Sequence, residues 1–195
     1  SAGTTSVRFR LSTDSAAAEP TGAASDGEVE DYLFTIAAPT TGTVANTQKI
    51  AHETNVDLAF ADSDYFGFSM ASLGDLDGDG VADLVVGAYG DDTGGENRGA
   101  IHVLFMNADG SVNSSTTIAS DINGGPALSD GDLFGGSVAS LGDLDGDGVV
   151  DLAVGAYGDG TGGTERGAIH ILMLDTDGTV KSSTKIANNT NGGPS

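Results

Sequence analysis

Phe66–Gly90 reads FGFSMASLGDLDGDGVADLVVGAYG, and Phe134–Gly158 reads FGGSVASLGDLDGDGVVDLAVGAYG. The two stretches are identical at 21 of 25 positions and begin 68 residues apart. The same spacing separates Ile50, Ile118 and Ile186, which stand in Lys-Ile-Ala, Thr-Ile-Ala and Lys-Ile-Ala. A fixed period of this kind marks a repeated structural unit. It divides the chain into full repeats at 49–116 and 117–184 and the opening of a third at 185–195. Residues 37–48, AAPTTGTVANTQ, read as a linker, and residues 1–36 differ in character from the repeats.

Within each repeat the pattern predicts four strands. In the second copy they are Phe134–Leu141, Asp151–Tyr157, Ala168–Asp175 and the polar run TVKSSTKIA. The second strand is almost continuously apolar, as a strand covered on both faces should be. An Asp-Gly pair, Asp177–Gly178, sits where a tight hairpin turn is needed between the third and fourth. No stretch carries a 3.6-residue apolar period of helical length. A four-stranded unit that repeats, apolar inside and polar outside, predicts an all-β chain of antiparallel β-propeller-type blades.

Between the first two strands lies Asp75-Leu-Asp77-Gly-Asp79-Gly-Val81-Ala-Asp83, and again Asp143, Asp145, Asp147, Val149 and Asp151. Acids fall at loop positions one, three, five and nine. Ca²⁺ takes six to eight oxygens at about 2.3–2.6 Å, and alternate carboxylates converge on one point as the chain curls. Glycine at position six allows the sharp turn that brings the position-seven carbonyl inward, which nominates Val81 and Val149 as backbone ligands. An EF-hand would place Glu at position twelve and helices on both sides. Here position twelve is Val86 or Val154, and both flanks read as strands. The expected cofactor is therefore about one Ca²⁺ per full repeat. Mg²⁺ keeps its waters and Zn²⁺ wants His or Cys, so neither suits the loop.

Composition agrees. The chain has 195 residues, 29 acidic and 7 basic, for a formal charge of −22. Phosphate backbones need Lys and Arg, so no nucleic-acid partner is expected. No stretch is long and apolar enough to span a bilayer as a helix, so no membrane insertion is expected. With no cysteine there is neither disulfide nor thiolate metal site.

Phe66-Gly67 and Phe134-Gly135, the two Asp loops, and Val86-Gly87-Ala88 and Val154-Gly155-Ala156 together resemble the FG-GAP repeats of the integrin α-subunit propeller and its bacterial relatives. That resemblance covers about residues 49–195. It implies propeller blades with Ca²⁺ in the loop between the first two strands. It also implies an extracellular or bacterial cell-surface setting, and a structural or adhesive role rather than catalysis. Partners would be further copies of the chain or other surface and matrix proteins. An accessory ligand- or carbohydrate-binding module of a larger secreted enzyme is the alternative. Propellers of this type have about seven blades. Two blades leave exposed edges, which predicts a piece of a longer protein, a ring built from several copies, or a head-to-tail fibre.

Near the N-terminus, VRFRLS and then Gly27-Glu28-Val29-Glu30-Asp31-Tyr32 resemble the C-terminal end of a bacterial GEVED domain. This implies a β-sandwich-like segment over 1–36. Strand alternation suggests that Arg8 and Arg10 pair with Glu28 and Glu30 across strands. Glu28, Glu30 and Asp31 form a weaker second metal candidate.

Other polar residues have plainer readings. His102 and His170 occupy equivalent strand positions with no acid or nucleophile in the segment, so they read as packed side chains rather than a catalytic pair. Arg98 and Arg166 are expected to pair locally with Glu96 or Glu165. Asp62, Asp64, Asp130 and Asp132 either extend the cation site or form a turn. Tyr89 and Tyr157 are expected at a blade end. No Ser/His/Asp triad, P-loop or dinucleotide fingerprint is present.

Overall fold

The computed structural model describes residues 3–10, 29–36, 47–54 and 58–194. The chain divides into two compact units, Ser1–Asn46 and Thr47–Ser195. In the first, β1 (Gly3–Arg10) pairs antiparallel with β2 (Val29–Ile36). The register sets Arg8 opposite Asp31 and Phe9 opposite Glu30. The side chains of both strands lie outside the described residues, and with them the expected pairing of Arg8 and Arg10 with Glu28 and Glu30. Glu28 and Gly27 lie outside the described residues, as does most of the 37–48 segment.

The second unit holds two four-stranded antiparallel sheets. Blade 1 is β3 (Ser69–Gly74), β4 (Asp83–Ala88), β5 (Ala100–Met106) and β6 (Val112–Ile118), hydrogen-bonded in that order. Blade 2 is β7 (Phe134–Gly142), β8 (Asp151–Ala156), β9 (Ala168–Leu174) and β10 (Val180–Ala187), again in sequence order. Short connections between neighbouring strands produce this meander, and the outermost strands β6 and β10 carry the Ser- and Thr-rich segments. A blade thus ends at Ile118 or Ala187, beyond the edge of the 68-residue sequence unit.

Strand alternation sorts each blade into two faces. On blade 1, Val85, Ile101, Val103 and Phe105 point one way, while Val86, Leu104 and Met106 point the other. On blade 2, Leu152, Val154, Leu172 and Leu174 share the face that meets the first of these sets, in one continuous core with Phe134. The blades therefore pack face to face. The junction is closed by backbone: Phe134 N–H donates to the Arg98 carbonyl at 2.9 Å, and Gly99 and Phe134 form a parallel bridge. Gly99 sits at φ +82, and a Cβ there would lie 2.1 Å from the Phe134 carbonyl oxygen. Only glycine permits so close an approach.

Candidate metal centre

Each Asp loop leaves the first strand of its blade, curls, and re-enters at the first residue of the second strand. The curl is held by the aspartates themselves. Asp75 accepts hydrogen bonds from Gly78 N–H at 2.8 Å and Gly80 N–H at 3.0 Å, through separate oxygens. Asp77 accepts from Asp79 N–H at 3.2 Å, and Asp79 from Val81 N–H at 2.7 Å. Gly78 and Gly80 adopt φ +82 and +91, conformations that bend the chain tightly enough for these contacts. The second loop repeats the scheme, with Asp143 accepting from Gly146 at 2.7 Å and Gly148 at 2.9 Å.

Asp83 and Asp151 anchor the arrangement. Both are fully buried. One oxygen of Asp83 accepts from Leu76 N–H at 2.8 Å inside the loop, the other from Met106 N–H at 3.0 Å at the end of β5. Asp151 makes the same two bonds, to Leu144 at 2.8 Å and Leu174 at 3.1 Å. These acceptors are committed in geometry before any ion arrives, and each carboxylate oxygen keeps a lone pair.

Asp75, Asp77 and Asp83 each bring one carboxylate oxygen within 4.8 Å of the others, and so do Asp143, Asp145 and Asp151. Two oxygens on one Ca²⁺ at about 2.3–2.6 Å can be at most about 5 Å apart, so both trios fit such an ion. The all-oxygen donor set suits a hard cation and not zinc. Asp79, Asp147, Val81 and Val149 stand in the same loops, outside these trios.

The loops differ in one respect invisible to the Asp pattern. Lys181 on β10 places its ammonium against Asp147 and 3.3 Å from Asp145. Its hydrogen bond to Asp147 holds that carboxyl below the usual range and raises the lysine in turn. The equivalent residue in blade 1 is Asn113, which carries no charge.

The remaining polar residues fall into place around the blades. Asp64 and Asp132 are buried and close turns, accepting from Ala61 N–H at 2.6 Å and Ser129 N–H at 2.8 Å. The turn reading of these acids is thus the one observed. Arg98 bonds Asp130 through Nε at 2.7 Å, not Glu96, because the Gly99–Phe134 approach brings the turn before β7 alongside it. His102 is buried between Thr117 (Nδ1 to Oγ1, 3.0 Å) and Asp91 (Nε2 to Oδ2, 3.5 Å), with Phe60 and Phe66 packed edge-on. Burial pushes the Asp91 carboxyl up, but the neighbouring His102 ring and the hydrogen bond from Thr93 outweigh it and hold it low. In blade 2, Lys185 takes the corresponding acid, Asp159, at 2.8 Å. His170 is left buried with neither ring nitrogen bonded, beside Phe134. Neither histidine reaches an open surface, so neither is placed for catalysis. Tyr89 stacks on Tyr65 at 4.8 Å and meets Phe68 and Tyr157, joining the ends of both blades.

No described helix is long and apolar enough to cross a membrane. Residues 66–104 and 134–172, which run from the Phe-Gly turn through the Asp loop to the third strand, both match the FG-GAP repeat. The chain thus carries two FG-GAP repeats, units typical of extracellular, adhesion-type proteins.

Proposed function

We propose that this protein is a calcium-stabilised, extracellular structural module of adhesion type, acting through protein contacts and not through catalysis. The observation that supports this most directly is the paired trio of converging carboxylates, one per FG-GAP repeat, each anchored by a buried aspartate. In this reading Asp75, Asp77, Asp79, Asp83 and the Val81 carbonyl hold one Ca²⁺. Asp143, Asp145, Asp147, Asp151 and the Val149 carbonyl hold the other. The bound ion supplies positive charge that offsets carboxylate repulsion and ties the loop to the strand beyond it. Through Asp83 and Asp151 that tie reaches the ends of β5 and β9. In this reading calcium stabilises whole blades and not the loops alone.

The test is thermal unfolding in millimolar Ca²⁺ and in chelator. An ion at about a hundred times its dissociation constant adds about 2.7 kcal/mol per site. The double variant Asp77→Ala plus Asp145→Ala removes an exposed ligand from each loop and should abolish the difference between the two conditions. A wild-type transition indifferent to chelator would show that the loops are only turns.

A second reading, an accessory ligand-binding module, draws on the exposed rings of Tyr65, Phe68 and Tyr157 at one end of the blades. It predicts a monomer whose binding to a foreign ligand is lost on Phe68→Ala with the calcium response intact.

A further inference from the structure

The two Asp loops are identical at eight of nine positions and differ only at Ala82 and Val150. A difference in how they hold an ion must therefore come from residues outside them. One such residue is in place. Lys181, near the start of β10, sets its Nζ against Asp147 and 3.3 Å from Asp145 Oδ2. Both acids are proposed calcium ligands, and both stay about a third open to solvent, at 36% and 37%. An ion can reach these oxygens, but it meets an ammonium already beside them.

The first loop has no such neighbour. Asn113, at the equivalent point of β6, is exposed and uncharged. The groove beside this loop is lined by Asp77, by Asp177 from the β9–β10 turn and by hydroxyl side chains, with no base among its lining residues. The first loop thus meets calcium with four carboxylates alone, the second with four carboxylates and one ammonium. Ligand charge and site rigidity are what tune the calcium affinity of loops of this kind.

We propose that Lys181 is a resident counter-ion that makes the two calcium sites unequal: the first loop takes Ca²⁺ at the lower concentration and depends on it, whereas the second keeps its curl on the lysine and fills later. The inference rests on the calcium reading above and gives its two sites an order. Two effects of the lysine oppose each other. As a tether it draws Asp145 and Asp147 together before any ion arrives, which favours binding. As a charge it repels the incoming ion. An exposed ion pair contributes little, whereas a divalent ion doubles the repulsion that a unit charge would feel at the same distance. The charge therefore decides, and the second site is the weaker by roughly threefold to thirtyfold.

The order has a structural effect, because the first loop is built into the junction between the blades. Leu76, inside that loop, is buried in the core that both blades share, and its N–H donates to buried Asp83 at 2.8 Å. As calcium falls, the second site empties first with little change in the fold. The junction loosens only when the first site empties.

The experiment is calorimetric Ca²⁺ titration of the full chain, joined to hydrogen exchange in chelator. The wild type should show two affinities separated by roughly threefold to thirtyfold. Asp145→Ala should leave the tighter site and Asp77→Ala the weaker one. Lys181→Met, which keeps the aliphatic stem and removes the charge, should bring the two affinities together, and Asn113→Lys should weaken the tighter site. In chelator, residues 75–83 should exchange faster than residues 143–151. Two equal sites in the wild type overturn the proposal, as does a gap that Lys181→Met leaves unchanged, or faster exchange in the second loop. Absence of calcium binding at both loops defeats the calcium reading together with this inference. Two equal sites defeat this inference alone.

Discussion

His170 makes the stability of blade 2 sensitive to mild acid. Its ring is buried against Phe134 with neither nitrogen hydrogen-bonded. Burial, reinforced by the Lys185 ammonium and only partly offset by Asp159, pushes its pKa down from 6.5 to about 4. Below pH 6.5 the unfolded chain takes up a proton that the folded chain refuses until about pH 4. Stability is therefore full above the unfolded value, falls as pH drops between the two, and levels off below the folded one. The two values give a loss of about 2 kcal/mol between pH 8 and pH 5, with about 3 kcal/mol as the limit. In a unit of this size that is roughly 4–8 °C in Tm. His170→Leu keeps an apolar side chain of similar bulk in place and removes the titrating ring. The assay is thermal or urea unfolding of both proteins at a series of pH values from 8 to 5, in calcium high enough to keep the loops filled. Subtracting the variant from the wild type isolates the histidine from the carboxylates. The wild type should lose about 2 kcal/mol more than His170→Leu over this range. Parallel curves would refute the argument, because they would mean that the buried ring protonates as easily folded as unfolded.

Two further outcomes rest on differences between the blades. Lys181→Asn makes the second loop like the first, removing a charge that stands against two proposed ligands. Calorimetric titration should show Ca²⁺ binding at one of the two sites strengthened roughly threefold to thirtyfold, as expected for deleting a unit charge at surface dielectric. Unchanged or weaker binding at both sites would show that Lys181 helps to hold the loop in its binding form. Gly99→Ala should cost about 2–4 kcal/mol in urea unfolding, from a Cβ 2.1 Å from the Phe134 oxygen added to a strained φ of +82. Gly167→Ala should cost only about 1 kcal/mol, since its φ of +75 is similar but nothing lies close. Equal costs would mean that the inter-blade approach is looser than the bond from Phe134 to Arg98 indicates.

Much of this architecture was legible because a repeat prints its own alignment. The strand set, the loop positions and the burial of β4 and β8 all rest on local patterns that occur twice in Phe66–Gly90 and Phe134–Gly158. The convergence of Asp75, Asp77 and Asp83 was legible for the same reason, since all three lie within nine residues. What escaped was set by contacts between distant segments. Arg98 finds Asp130 across 32 residues, while Glu96 is the nearer choice along the chain. Lys181 reaches the second loop from β10, a placement that depends on how far the outer strand's side chains extend back over the blade. The double anchoring of Asp83 by Leu76 and Met106 needs both the loop curl and the β4–β5 register.

The near-identity of β3 and β7 has a consequence for how the chain reaches its native state. During refolding, either strand can compete for the edge of β4 or of β8, since their opening segments differ only at Phe68/Gly136 and Met70/Val138. The competition is unequal. A Cβ at Gly136 would lie 2.8 Å from the Tyr157 ring, so a strand carrying Phe68 at that place must push the tyrosine aside. Blade 1 has already made that accommodation, with Tyr89 turned edge-on to Phe68 at 4.6 Å. Mispairing thus runs more easily in one direction: β7 is accepted by blade 1, whereas β3 is resisted by blade 2. The exchange of Phe68 for Gly136 thus makes swapping of the two strands unequal in its two directions.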